Sequence, residues 1–264
     1  MPQTINNKIQ RGFSESAKTY DLFSGLHREI ADTLFARVIK GPAPSALLDV
    51  GCGTGYLTVM LKGYFPQSKI IGLDFSPGML EAAARKHDGI AWVLADGNNL
   101  PFPDGRFDVL VSNLAYQWAG DLSRAFSEAR RVLAPNGVLA CTLFGYNTCR
   151  ELFQSLDEAK TKALQFTRLP DAPQVREALA ASGFKNPKVD TERIKIEFNG
   201  MHELIAWLKS IGANHLPASS AGGSREEYLG PEALSRAASI YRKKFAYLQG
   251  VGATFEVIRF YVKR

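Results

Sequence analysis

The chain has 264 residues, 45% hydrophobic and 22% charged, a balance that supports one large packed domain and excludes both a solvated tail and a disulfide scaffold. A formal charge of +6 weakly favours acidic partners. The bases are scattered, Arg242-Lys243-Lys244 reads as a solvated helix face, and no basic stripe interleaves with aromatics, so a nucleic-acid partner is not expected.

The opening segment Met1-Pro-Gln-Thr-Ile-Asn-Asn-Lys8 has no apolar h-region, and no later run reaches the roughly 20 apolar residues of a membrane span, so a cytoplasmic protein is expected. Cys52, Cys141 and Cys149 form no CxxC pair and no cluster with histidine, which predicts neither a disulfide framework nor a metal site. The first forty residues read as helix, with Ile30, Leu34, Phe35 and Val38 on one apolar face, packed as a lid or flank. Gly41-Pro-Ala-Pro44 breaks this helix, and Ala46–Val50 reads as a buried strand entering a glycine loop. There follow a helix over Tyr56–Tyr64, a strand Lys69–Leu73, a helix from Ser76 capped by that serine ahead of Pro77, and a strand Ile90–Leu94. A strand Phe107–Ser112, a helix Leu122–Leu133, a turn at Pro135-Asn-Gly137 and a strand Val138–Phe144 complete the alternation.

Beyond Gly145 the spacing predicts helices Cys149–Leu164 and Ala172–Ala181, a strand Lys188–Phe198, helices His202–Ile211 and Pro231–Tyr247, and a closing strand Ala253–Val262. Ala218–Ser224 is a small-residue loop of the kind that gates a site. Strand and helix in turn imply a doubly wound α/β fold around a mostly parallel seven-stranded sheet. One domain is expected over 1–264: lid helices at 1–40, a core at 41–145, a substrate cap with interspersed core elements at 146–252, and a final core strand at 253–264.

The strongest local signal is Leu47-Leu-Asp-Val-Gly-Cys-Gly-Thr-Gly55, in which a buried strand delivers glycines at alternate positions ahead of a helix N-terminus. A tight turn explains one of those glycines and not three. The third glycine arrives one position early for G-x-G-x-x-G, which disfavours a dinucleotide oxidoreductase. The next strand ends in Gly72-Leu-Asp74-Phe-Ser-Pro-Gly-Met79, where Asp74 either caps the following helix or accepts a ligand's hydroxyls. Ala95-Asp-Gly-Asn98 is either an Asx turn or a ligand contact, and Ser112-Asn-Leu-Ala-Tyr-Gln-Trp118 supplies polar and aromatic groups that form a mouth or pack beneath the cap.

The glycine loop, Asp74 and Ala95–Asn98 together resemble the cofactor motifs of class I S-adenosylmethionine-dependent methyltransferases. The resemblance implies that Gly51, Cys52 and Gly53 offer backbone contacts beneath the methionine part, and that Asp49 shapes the loop and faces the ammonium. It further implies that Asp74 holds the ribose, Phe75 and Met79 flank the adenine, Asp96 with Gly97 and Asn98 meets its amino group, and Asn113 borders the methyl. Four further segments are similar to the malonyl-[acyl-carrier protein] O-methyltransferases of biotin synthesis: Phe13–Tyr20, Ser112–Trp118, Leu208–Asn214 and Thr254–Ile258. Two departures stand against that pattern, His27 in place of the usual glutamine and Asn136 in the Pro-x-Gly turn.

This likeness implies methylation of the free carboxylate of malonyl carried by acyl carrier protein or coenzyme A, with S-adenosylhomocysteine as by-product. Other carboxylic acids and quinone or sterol precursors are the alternative acceptors, and a cofactor-binding protein without turnover is a further alternative. A carboxylate with pKa of about 4 is ionised at neutral pH, so no general base is expected, and His27, His87, His202 and His215 read as surface or structural. Tyr20 is either a packing tyrosine or the lid residue that closes over cofactor and acceptor. Gln117, Trp118, Lys209 and Arg225 are the acceptor-side candidates, with Arg193 a further base in the cap; the sequence does not choose among the bases.

Overall fold

The computed structural model describes residues 3–159, 169–213 and 231–264. The amino-terminal stretch is three helices rather than one, α1 (Gln3–Ser16), α2 (Tyr20–Phe23) and α3 (Gly25–Val38). Thr19 donates its N–H back to Ser16 O, and Ser24 Oγ donates to Asp21 O, so short turns end each helix where periodicity alone shows continuous apolar spacing.

The core alternates β1 (Ala46–Val50), α4 (Tyr56–Tyr64), β2 (Lys69–Asp74), α5 (Pro77–Lys86), β3 (Ala91–Leu94), β4 (Phe107–Asn113), α6 (Leu122–Val132) and β5 (Leu133–Phe144). Then come α7 (Arg150–Glu158), α8 (Ala172–Ala181), β6 (Val189–Phe198), α9 (Met201–Ser210), α10 (Pro231–Lys244), β7 (Ala246–Tyr247) and β8 (Gly250–Lys263). Strand order is β3-β2-β1-β4-β5-β8-β6, with the two-residue β7 paired to β8. Strands β1 to β5 pair in parallel, while β8 runs antiparallel between β5 and β6. The sheet reverses its winding between β1 and β4, which opens a crevice at their carboxyl ends.

Both faces of the sheet are covered, and β1 shows it residue by residue. Leu47 packs with α3 and α4 through Leu34 and Leu61, while Leu48 and Val50 turn to the opposite layer with Phe126 and Val132 of α6. A third apolar cluster joins α7, α9 and α10 to the far ends of β5, β6 and β8 through Leu152, Leu204, Tyr241 and Phe255. Residues of α3 (Leu26, Ile30) share this cluster, so lid and cap have a common foundation.

Several boundaries differ from expectation. Strand β5 begins at Leu133 rather than Val138, so the turn expected at Pro135-Asn-Gly137 is instead an irregularity within the strand, with Asn136 at φ 64 and a register shift against β4. The last helix ends at Lys244, and β8 begins at Gly250, because Leu248 (φ 51) turns the chain and Ala246 and Tyr247 pair with Val251 and Gly250. Glu197 Oε1 fixes that turn by accepting the N–H groups of Gln249 (2.6 Å) and Gly250 (2.7 Å). The helix expected to reach Leu164 is described to Glu158, the remainder lying outside the described residues. No described helix is long and apolar enough to cross a membrane.

The lid is fastened from two sides. Gln10 Nε2 donates to Phe75 O (2.6 Å), Ser14 Oγ and Ser76 Oγ are 2.8 Å apart, and Thr54 Oγ1 donates to Asp21 Oδ1 (2.6 Å). From the cap, Trp207 Nε1 donates to Phe23 O (3.0 Å). Helix α1 sits on α5 only because position 78 is glycine: a Cβ there would lie 2.7 Å from Ser14 Cα and O. Gly78→Ala is therefore expected to displace α1 while α5, with better helix propensity, stays formed. Hydrogen exchange resolved by peptide should show lost protection over residues 3–16 with an unchanged core, and unaltered protection of α1 would refute this account of lid docking.

Candidate functional site

The loop after β1 is built by three left-handed glycines, Gly51 (φ +74), Gly53 (φ +55) and Gly55 (φ +88). At Gly51 the requirement is also steric, since a Cβ would come within 2.1 Å of Ala115 Cβ in the segment after β4. Gly51 and Cys52 both donate their N–H groups to Leu73 O, at 2.7 and 3.0 Å, so the loop is pinned to the tip of β2. Asp74 completes the join: Oδ2 accepts from Gly53 N (2.9 Å) and Oδ1 from Ser76 N (2.8 Å). Each carboxylate oxygen keeps a second acceptor site. Burial pushes the Asp74 carboxyl up to about 6 despite these bonds, which favour the charged form.

Above the strand tips lies a cleft that is partly open to solvent. Tyr20, Gly51, Gly53, Asp74, Phe75, Met79, Asp96, Gly97, Asn98, Asn113 and Trp118 line it. Asp96 Oδ1 accepts from both the backbone N (2.8 Å) and Nδ2 (2.9 Å) of Asn98, an Asx turn at the cleft wall. The lid contributes Ile9 and Phe13, which sequence reasoning missed as wall residues. Phe13 stands edge-on to Phe75 (5.9 Å between centroids) and to Trp118 (5.4 Å), so an apolar shelf forms over the β2 side. That contact joins residues far apart in sequence, and no local pattern announces it.

Asp49 and Cys52 fall outside this cleft. They line a second cavity of about 440 Å³ that shares Tyr20, Gly51, Gly53 and Asn113 with the first. Asp49 is 1% exposed, accepts from Thr58 Oγ1 (2.6 Å), and is pushed up to about 7 by burial. The N–H groups of Gly51, Cys52 and Gly53 are spent on Leu73 O and Asp74, which leaves their carbonyl oxygens for the backbone contacts expected of this loop. Asn113 is likewise engaged, its Nδ2 donating to His27 O (3.0 Å) and its Oδ1 accepting from Thr142 Oγ1 (2.7 Å). Its place is that of a tie between lid, β4 and β5.

Of the acceptor-side candidates, Trp118 and Tyr20 reach the cleft. Gln117 is buried beneath it with Nε2 bonded to Leu114 O (2.8 Å), and Lys209 is exposed on α9; neither lines either cavity. Arg193 pairs with buried Glu256 (3.4 Å), and Arg225 lies outside the described residues, as do His215 and the Ala218–Ser224 loop. The described base that does line the second cavity is Arg28, which is 3.4 Å from Asp21, stacks on Tyr56, and has a buried Nε without a partner. Beside it stands His27. Arg28 is not singled out by sequence, and His27 reads there as a departure from the family pattern and as surface or structural, because an arginine and a histidine in an amphipathic helix look like surface residues until the helix is docked.

Comparison with known proteins agrees with this architecture. A family profile described as a methyltransferase domain matches residues 48–141. Among solved structures, YcgJ from Bacillus subtilis superposes with a TM-score of 0.60 at 17% identity, over 88% of this chain and 98% of that one. The geranyl diphosphate C-methyltransferase of Streptomyces coelicolor, solved with S-adenosylhomocysteine, gives 0.52 at 16% identity over 89% and 74%. Both report the fold. Closer relatives bear the name malonyl-[acyl-carrier protein] O-methyltransferase: that of Hahella chejuensis is 34% identical over 95% of this chain and 88% of its own, and that of Halorhodospira halophila 33% identical over 97% and 87%. Near-complete coverage in both directions carries the likeness through lid, core and cap alike, and on that ground the chain belongs to the malonyl-[acyl-carrier protein] O-methyltransferase family, on a class I methyltransferase fold.

Proposed function

We propose that this protein methylates the free carboxylate of malonyl-acyl carrier protein with S-adenosylmethionine, giving a methyl ester for biotin synthesis in the cytoplasm. One observation carries the reading: the tips of β1 and β2, one stripped of side chains and the other bearing Asp74, are joined by the Gly53 N to Asp74 Oδ2 bond and open onto a single lidded cleft. S-adenosylmethionine supplies a sulfonium methyl, which passes to an acceptor oxygen while the carbon–sulfur electron pair stays on sulfur.

The residues fit that group. The unused acceptor sites of Asp74 suit two ribose hydroxyls, and Phe75, Met79, Asp96 and Asn98 suit an adenine with its amino group. The second cavity has the polarity of an α-amino acid, with Asp49 available to an ammonium and Arg28 to a carboxylate. Lid residues Ile9, Phe13 and Tyr20 keep water from the cleft, so a bound carboxylate loses its hydration shell and meets the methyl in line. Because the acceptor is already ionised, the chain holds and orients it and moves no proton.

Transfer of labelled methyl from S-adenosylmethionine to malonyl-acyl carrier protein, with malonyl-coenzyme A and free trans-aconitate as parallel acceptors, tests the reaction. Label on malonyl thioesters is expected, and label confined to free acids would remove the assignment. Asp74→Ala should weaken S-adenosylhomocysteine binding at least tenfold in calorimetry, since hydrogen bonds to a charged group contribute about 1.5–3 kcal/mol; unchanged affinity would count against a ribose role. A third expectation concerns pH. Asp49 titrates near 7 in the folded state against 3.8 as a reference, so its stabilising effect is whole below 3.8 and is lost as pH rises through about 7. Asp49→Asn abolishes that loss, and the variant should gain about 2–3 kcal/mol on the ligand-free wild type between pH 5 and pH 8 in denaturant titrations. A constant difference across that range would contradict it.

A further inference from the structure

His27 is the one residue lining the second cavity for which the described ring contacts also reach the cap. Its imidazole stands 5.8 Å from the Tyr20 ring on the cavity side and 5.6 and 6.0 Å from the rings of Phe144 and Trp207 on the cap side. The backbone beneath it is fixed, since His27 O accepts from Asn113 Nδ2. Within this aromatic box Nδ1 is buried and has no hydrogen-bond partner. Buried ring nitrogens are nearly always paired in a finished structure, so an unpaired one at the wall of a cavity marks a position that a ligand atom completes.

We propose that His27 binds the acceptor: with its proton on Nδ1, the ring donates a hydrogen bond to the methyl-accepting carboxylate of the malonyl thioester where lid, cap and second cavity meet. The inference deepens the carboxyl-methylating reading above and rests on it. Burial holds this imidazole down at about 4, so it is neutral at physiological pH. A neutral donor suits the chemistry. An ammonium or guanidinium would draw charge away from the attacking oxygen, whereas a single N–H satisfies one lone pair and leaves the carboxylate anionic and nucleophilic. The described cations of the neighbourhood are otherwise assigned or remote: Arg28 pairs with Asp21 and faces the cofactor's own carboxylate in the reading above, Arg193 pairs with Glu256, and Lys209 is exposed. Specificity follows from the same contact, because an acetyl thioester offers no carboxylate to the Nδ1 proton and leaves it unpaired.

The test compares malonyl-pantetheine with acetyl-pantetheine binding, by calorimetry, to protein saturated with S-adenosylhomocysteine. Three forms are used: wild type, His27→Phe, which keeps a ring and loses the nitrogens, and His27→Asn, which restores an N–H near the Nδ1 position. Wild type should prefer the malonyl compound. In His27→Phe malonyl affinity should fall at least tenfold, with acetyl affinity and S-adenosylhomocysteine affinity unchanged, and His27→Asn should recover part of the preference. Melting curves verify folding, and His27→Leu replaces the phenylalanine variant if the larger ring disturbs the box. The proposal is overturned if the malonyl preference survives in His27→Phe, if both thioesters weaken equally, or if the loss falls on S-adenosylhomocysteine, which would place the ring at the cofactor's amino-acid end. Failure of the underlying reading looks different: wild type itself then shows no malonyl preference and no methyl transfer to malonyl thioesters.

Discussion

The carboxylate of Asp74 is the constraint on which the site turns. It lies 6% exposed at the tip of β2, and a buried charge of this kind is tolerated only where donors surround it. Those donors are backbone N–H groups from two different loops, Gly53 after β1 and Ser76 ahead of α5. One side chain therefore fixes the glycine loop against the neighbouring strand and sets the start of α5, whose cap Ser76 in turn meets Ser14 of the lid. Loop, helix and lid are positioned from one point, and the acceptor capacity left on the carboxylate faces the cleft that they enclose.

The lid itself is held by weaker forces. Asp21 gathers Thr54, Arg28 and Lys86, but the three charged side chains are about one-third exposed, at 34–38%, and such ion pairs contribute little net stability. What they supply is geometry, since the cluster sets where α2 rests on the core and hence where Tyr20 and His27 sit. The apolar contribution of Ile9 and Phe13 is larger, yet it is made against a cleft rather than a closed core. The buried ties of this stretch belong to α3, through Leu26, Ile30, Leu34 and Val38, so opening of the site falls to α1 and α2. The Trp207 bond to Phe23 O makes that opening a concern of the cap as well.

Elements with a strong period were legible before any coordinates. The strands β1 and β2 and the serine cap of α5 follow from local chemistry, because a continuous apolar run and a Ser-Pro pair each have few alternatives. The residues of the main cleft were legible for the same reason, being attached to strand tips that the fold brings together. What sequence hid was set by packing between distant segments. The break of the first helix at Thr19, the shelf made by Phe13, Phe75 and Trp118, and the burial of His27 and Arg28 depend on where α1 to α3 land. Backbone accounting was hidden too: glycine spacing signals a loop open to a ligand, but only geometry reveals that its N–H groups are already taken by Leu73 O and Asp74.

Perturbed carboxyls in a cleft ordinarily suggest acid–base catalysis, and Asp49 near 7 and Asp74 near 6 would qualify by that criterion alone. Their surroundings argue for a different use. A general base must offer a free oxygen to a proton that leaves the reacting group, yet these carboxylates are bound to Thr58 and to backbone N–H groups that fix their orientation. Their elevation has burial as its main cause, the expense of keeping acids in a site that must also stay dry. A group bearing hydroxyls or a cation relieves that expense by supplying further partners, so the same carboxyls make the site selective for a ligand that bears them. Holding reactants in a dry, oriented cleft, with no proton to relay, is chemistry that such a set of residues can perform.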